Sequence, residues 1–274
     1  KDFIGTAEQY ASAKLGQLSG NAQTLINLPQ VLSIAIAMSL VPAVSDAFTR
    51  KDYKSIRNAT NSGIRMTLLI GLPSALGLFI LAHPIIDLIY FAKTPLEKQG
   101  ASELLAILSI SLIFLTLVQT LTAILQGIGK PMKPVKNLAI GAVIKVVLTY
   151  TLVSVPSIGV KGAAISTVVI YVIATVLNLY DVKKYTGTEI KFIDSIVKPV
   201  LSGIIMAVLV KISYSYGVTM IGSKLATVVS IGIGAIAYGF SLLMFGAVTA
   251  EDLELLPKGN TISKKLKSIG LLRK

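Results

Sequence analysis

Apolar runs of about membrane-spanning length alternate with short polar stretches along most of the chain. Seven runs stand out, at 24–44, 66–90, 104–126, 138–155, 163–180, 200–214 and 225–247. Each is near the roughly 20 residues that a helix needs to cross a bilayer's hydrocarbon core. The pattern predicts an all-α fold, a polytopic transmembrane helix bundle of about seven helices.

The polar stretches between the runs are not equivalent. The connections 46–65, 127–136 and 181–198, with the tail 250–274, hold 5, 3, 4 and 6 basic residues, 18 together. The alternate set (1–22, 91–101, 157–161 and 215–224) holds 2, 2, 1 and 1, which is 6. Lys145 and Lys211 lie inside runs and complete the 26. Basic loops are retained in the cytoplasm, so the chain is expected to start outside and end inside. One helix more or fewer would destroy this alternation. The expected organisation is an extracellular lead-in at 1–23, five spans over 24–184, two further spans over 185–248 and a basic cytoplasmic tail at 249–274.

Two of the basic stretches have helical apolar stripes: Tyr53, Ile56, Thr60 and Ile64 in one, and Ile262, Leu266 and Ile269 in the tail. Both are expected to lie on an anionic inner leaflet, or else to be solvated. Pro29, Pro42 and Pro73 fall in or at the ends of the first two runs, where each either kinks a helix or marks its end.

Composition narrows the function. Of the 274 residues 53% are hydrophobic and 14% charged, with a mean hydropathy of +0.76, too few charges to cover a soluble surface. The net charge of +13 is spread over separate loops, which argues against nucleic acid as a partner. The chain contains no Cys, which excludes a disulfide, a thiolate metal site and a thiol nucleophile. Its one His, His83, thins the options for metal or imidazole chemistry, so no metal site is expected. No cofactor is expected. Catalytic motifs are absent, and the Pro131 and Pro134 after Gly127-Ile-Gly-Lys130 are expected to prevent a helix from starting there as a phosphate loop requires. The chain lacks an initial Met and a signal peptide, and is expected to be a piece whose earlier helices precede it.

Candidate functional residues lie inside the runs. On the third, Ser109, Thr116, Gln119, Thr120 and Gln126 fall near one helical face, which is expected to meet other helices or a wet path. On the fourth, Asn137, Gly141, Lys145 and Thr149 are spaced by four. Lys145 sits about 12 Å along the axis from Asn137. It faces either a cavity, where it could pair with a phosphate, or the inner headgroups by snorkelling. His83 and Asp87 near the end of the second run are expected to be solvated, and Lys211 to snorkel outward.

Certain motifs resemble a known family. The runs Gln23-Thr-Leu-Ile-Asn-Leu-Pro29 and Ser39-Leu-Val-Pro-Ala-Val-Ser45, then Leu125-Gln-Gly-Ile-Gly-Lys-Pro131, Ile140-Gly-Ala-Val-Ile-Lys145 and Gly159-Val-Lys-Gly-Ala-Ala-Ile-Ser-Thr167, occur in order and spacing. They resemble the MOP exporter superfamily, in its polysaccharide-transporter branch (stage V sporulation protein B and MurJ-like). The resemblance implies a fourteen-helix flippase of two lobes, with this chain the C-terminal lobe plus two extra helices. It implies a lipid-linked oligosaccharide such as undecaprenyl-linked lipid II as substrate, alternating access as mechanism, and a missing N-terminal lobe as partner. Lys145, Gln119, Gln126, Thr116 and Asn137 would line the path.

The rival readings are a cation-coupled multidrug antiporter of the same superfamily, a seven-helix receptor, and a membrane sugar polymerase. The first usually wants an embedded acid, and only Asp87 near an edge offers one. Without Trp, Cys or a lysine central to the last helix, the receptor lacks its usual features, and short outer connections disfavour the polymerase.

Overall fold

The computed structural model describes residues 16–190 and 193–248. Most of the lead-in and the whole tail after 248, including its apolar stripe, lie outside the described residues. Among the described residues every regular element is helical. The principal helices are α1 (Gln23–Thr49), α2 (Tyr53–Ile80), α3 (Ala82–Ile89), α4 (Pro95–Gly127), α5 (Met132–Val153), α6 (Lys161–Thr186), α7 (Lys198–Ile221) and α8 (Ser223–Met244). All except the short α3 are long and apolar enough to cross a membrane, making seven spans.

α4 is the hub, packed against α1, α2 and α6, while α5 packs almost solely on α6. α7 and α8 form a pair set against α2 and α3. Missing side chains allow the close approaches within the α1, α2 and α4 group. A Cβ on Gly63 would lie 2.6 Å from Leu40, one on Gly71 2.7 Å from the Thr116 hydroxyl, and one on Gly127 2.8 Å from Val44. Lipid tails are as apolar as leucine, so helices in a membrane associate through such tight contacts and through interhelical hydrogen bonds.

The helix ends depart from the hydropathic boundaries for identifiable reasons. The second run is divided at Leu81 into α2 and α3. Pro84 in the first turn of α3 has no N–H to give the Ile80 carbonyl, so the α2 ladder stops there. α4 begins at Pro95, well before the apolar run, because Thr94 and Glu97 form a reciprocal cap. α5 begins at Met132, contrary to the expectation that Pro131 and Pro134 bar a helix. Both prolines sit where the first turn needs no intrahelical donor. Pro29, Pro42 and Pro73 all lie inside helices and none ends one.

The stretch 52–65 is also corrected. Instead of lying apart on a leaflet, it is the first part of α2, capped by Asp52, whose carboxylate accepts from the Ser55 amide at 3.0 Å. The Ser55 hydroxyl and amide hold the Asp52 carboxyl below its usual range. Ile56, Thr60 and Ile64 are buried against the bundle and only Tyr53 of that stripe is exposed.

Side-chain contacts sort the connections into two ends. At one end, Arg57 Nε donates to the Thr186 carbonyl at 3.4 Å, and the Lys130 and Lys133 ammoniums lie 5.6 Å from the Tyr185 ring centre. At the other, Lys98 pairs with Asp87 at 2.6 Å and Lys161 with Glu103 at 2.9 Å. The connections rich in basic residues thus gather at one end, which we call the basic end.

Candidate functional site

The polar face of α4 splits between two environments. Thr116 and Thr120 are fully buried against α2, where Thr120 shares a hydroxyl hydrogen bond with Thr67. Thr116 donates to the Ile113 carbonyl at 2.9 Å and fills the notch left by Gly71. Ser109 is likewise buried and donates to Ala106. Gln119 is about 100° around the helix from Thr120, so it faces the seam between α4 and α1. There Gln119 and Gln126 line a shallow groove of about 200 Å³ with Ile34, Met38, Val41 and Thr122. The Gln119 amide oxygen is buried without a hydrogen-bond partner among the described residues, whereas Gln126 is exposed. A buried amide oxygen in an apolar groove calls for a donor, from water or from a ligand.

The face of α5 is a helix contact. Asn137 is buried and donates 2.9 Å hydrogen bonds to Asn178 Oδ1 and Asp181 Oδ2. A Cβ on Gly141 would lie 2.8 Å from Ile170, and Thr149 shares a 2.6 Å hydrogen bond with Ser166. Lys145 lies half-buried between these contacts, with no ion pair among the described residues. Because α5 begins at Met132, Lys145 is thirteen residues in, about 20 Å from that end, deeper than the apolar run suggests.

The structure therefore places the five candidates in three settings. Gln119 and Gln126 share the α1–α4 groove, Thr116 is in the α2–α4 seam, and Asn137 and Lys145 are on the α5–α6 seam. Neither Lys145 nor Asn137 lines the groove.

Hydropathy concealed one acidic residue. Asp181 was grouped with a connection, yet α6 runs on to Thr186 and Asp181 is buried. It accepts from Asn137 and faces Lys133 at 3.7 Å, tying α5 to α6 near the basic end. The spacing of Asn178 and Asp181, one helical turn apart and opposite Asn137, was the available signal. Asp87, expected to be solvated, is instead tied to Lys98; His83 is exposed. Among the described residues no group of His, Cys, Asp and Glu has the arrangement of a metal site.

The family model of the lipid II flippase MurJ matches residues 17–230. The uncharacterized membrane protein YabM of Bacillus subtilis (strain 168) is 28% identical over 95% of this chain and 48% of its own length. Stage V sporulation protein B of the same organism is 26% identical over 93% of this chain and 48% of its own length. The lipid II flippase MurJ of that organism is 29% identical over 69% of this chain and 35% of its own length. The chain thus spans about half the length of the curated relatives it matches, or less. A solved lipid II flippase MurJ in an inward closed conformation superposes with a TM-score of 0.69 at 22% identity, over 85% of this chain and 47% of that one. A MATE structure in complex with MaD3S gives a TM-score of 0.50 at 16% identity, over 94% and 66%. These two likenesses are of fold.

Proposed function

We propose, since this chain belongs to the lipid II flippase MurJ family, that it supplies one side of a path by which a lipid-linked cell-wall or polysaccharide precursor crosses the membrane. The observation that carries this reading is the family match across residues 17–230. The substrate class is that named for the relatives, lipid II or a similar polyprenyl-linked sugar.

The groove between α1 and α4 suits the polar head of such a substrate. Gln119 offers an unpartnered carbonyl to a sugar hydroxyl, and Gln126 extends the polar lining toward the basic end. Lys145 is a separate element. An ammonium about 20 Å from the start of its helix is costly in lipid, and a diphosphate passing α5 would offset that cost. The polyprenyl tail would stay in lipid while a second lobe closes over the groove, as in transporters built from repeats. The basic end would face the cytoplasm, by the charge bias of its connections. Residues 24–184 would form the lobe and 185–248 the added pair. As an ion-coupled antiporter the chain would want a membrane-embedded acid free to exchange its partner, and Asp87 and Asp181 are both engaged.

The test is flipping of fluorescent lipid II in proteoliposomes, using the chain joined to the first lobe of a relative. Lys145→Ala and the pair Gln119→Leu with Gln126→Leu should each lower the rate about tenfold or more, or 1.4 kcal/mol in barrier. Lys145→Arg should keep partial activity, since charge persists in a wider, differently hydrated group. Wild-type rates in all three would dismiss this path. Because the chain has no Cys, single cysteines replacing Lys54 or Lys133 should label from the cytoplasm, and those replacing Lys98 or Lys224 from outside.

A further inference from the structure

A second cavity lies outside the groove. It has about 520 Å³ and lies at the basic end, between the start of α2, the last turns of α6 and the strap 187–190. That is within the range of pockets that hold small molecules. The strap is pinned from α2: Asn61 donates to the Glu189 carbonyl at 3.2 Å and Arg57 to the Thr186 carbonyl. Gly187 turns at φ +61°, where a Cβ would lie 3.0 Å from the Arg57 guanidinium.

Three features of the lining point to a ligand. The Thr60 hydroxyl is fully buried and has no hydrogen-bond partner among the described residues. Lys183 and Glu189 line the same cavity, both exposed, and neither has an ion pair among the described residues. Polarity also grades along the α6 axis. Val176 and Leu179 lie farther from the basic end, and Lys183 lies seven residues nearer to it than Val176, about 10 Å along the axis. Beyond it the strap adds Thr188 and Glu189. Tyr180, an exposed aromatic, lies between the apolar and charged parts, as at a membrane interface.

We propose that this cavity is a site for one phospholipid with a phosphate and a primary ammonium in its head, of the phosphatidylethanolamine class. The phosphate faces Lys183, the ammonium faces Glu189, and the Thr60 hydroxyl donates to a glycerol ester oxygen. The first acyl methylenes lie on Val176 and Leu179. A soluble metabolite would not need an apolar end aligned with the helix axis. A purely anionic lipid would meet Glu189 unfavourably. Basic pockets between transmembrane helices commonly take lipid heads; the Glu189 carboxylate in the same lining makes this one selective for a head that also carries an ammonium.

The test is native mass spectrometry of the full chain in detergent, titrated separately with phosphatidylethanolamine, phosphatidylglycerol, phosphatidylcholine and inorganic phosphate. Phosphatidylethanolamine should bind about tenfold tighter than phosphatidylglycerol, the size of one charge-assisted hydrogen bond. Glu189→Gln should erase that preference, and Lys183→Gln should weaken both lipids about tenfold, with Lys183→Arg restoring them. Thr60→Val should weaken the ethanolamine lipid severalfold without lowering the melting temperature. Equal retention of all lipids, with no effect of the variants, would overturn the site in favour of an ordinary lipid annulus. Competition by inorganic phosphate as strong as by lipid would overturn the lipid assignment.

Discussion

α4 and α5 are neighbours in sequence and both are long and apolar enough to cross a membrane, yet they are buried to very different extents. Some 56% of the positions in the most apolar stretch of α4 are buried, against 11% in α5. α4 is the more apolar of the two, so hydropathy does not say which helix faces lipid. In water this order would follow simply from burial as the driving force. In a bilayer an apolar residue is solvated equally well by lipid or by protein. What distinguishes the two helices is how polar and small groups are distributed. α4 carries buried hydroxyls on more than one side and meets notches at Gly63 and Gly71 through its neighbours. α5 keeps Asn137, Gly141 and Thr149 on a single line toward α6.

The largest effect should come from filling one notch on each helix. Gly127→Leu drives a side chain into Val44 and toward the Val41 carbonyl, which a Cβ alone would approach at 3.1 Å. With α1 and α4 held by neighbours on several sides, the variant should lose about 3 kcal/mol or more, or fail to insert stably. Gly141→Leu clashes as closely, with Ile170 at 2.8 Å, but α5 packs almost solely on α6 and can tilt away from it. Its cost should be nearer 1 kcal/mol. Thermal unfolding in one detergent compares them, and an equal loss would mean that α5 is as constrained as α4.

Next in size is the polar link at the basic end. Asn137→Leu leaves Asp181 and Asn178 without their shared donor, and should cost roughly 1–2 kcal/mol. Crosslinking between α5 and α6 near residues 137 and 178 should weaken in parallel. Thr120→Val, which removes one hydroxyl from the pair with Thr67 inside the α4 core, should cost only about 0.6 kcal/mol, the average for such bonds in a membrane. If Thr120→Val proved the more damaging, the single-sided contact of α5 would not depend on its polar groups.

The number of spans and the class of the fold were legible because a bilayer imposes one length on every crossing helix. The family was legible from motifs that sit at helix ends and at close contacts, such as the Gly162 notch, where a Cβ would lie 2.6 Å from Leu152. The site was legible only in part. Periodicity grouped Thr116 with Gln119 on α4, but a face some 100° wide can touch two different neighbours. Periodicity within one helix cannot say which neighbour each edge meets. Asp181 was missed because a charged residue at the edge of an apolar run reads as a loop, although packing against Asn137 and Lys133 lets the helix carry it inward.

Another small effect is expected at the end opposite the basic one, where Asp87 on α3 meets Lys98 on α4. The Lys98 hydrogen bond holds the Asp87 carboxyl below its usual 3.8, against some desolvation, with His83 and Lys224 adding weaker attraction. A carboxyl whose value is lowered on folding stabilises the fold above its unfolded value, and that stability fades as pH falls through the folded value. The contribution should therefore be complete at pH 5 and above and vanish in acid. Both side chains keep some contact with solvent, at 17% and 32% exposure, so the pair should be worth at most about 1 kcal/mol. Asp87→Asn should lower the melting temperature slightly and by a constant amount from pH 5 to 8, and the gap from wild type should close below pH 4. A gap larger than that for Asn137→Leu would mean that α3 anchors the bundle more firmly than the α5–α6 seam does.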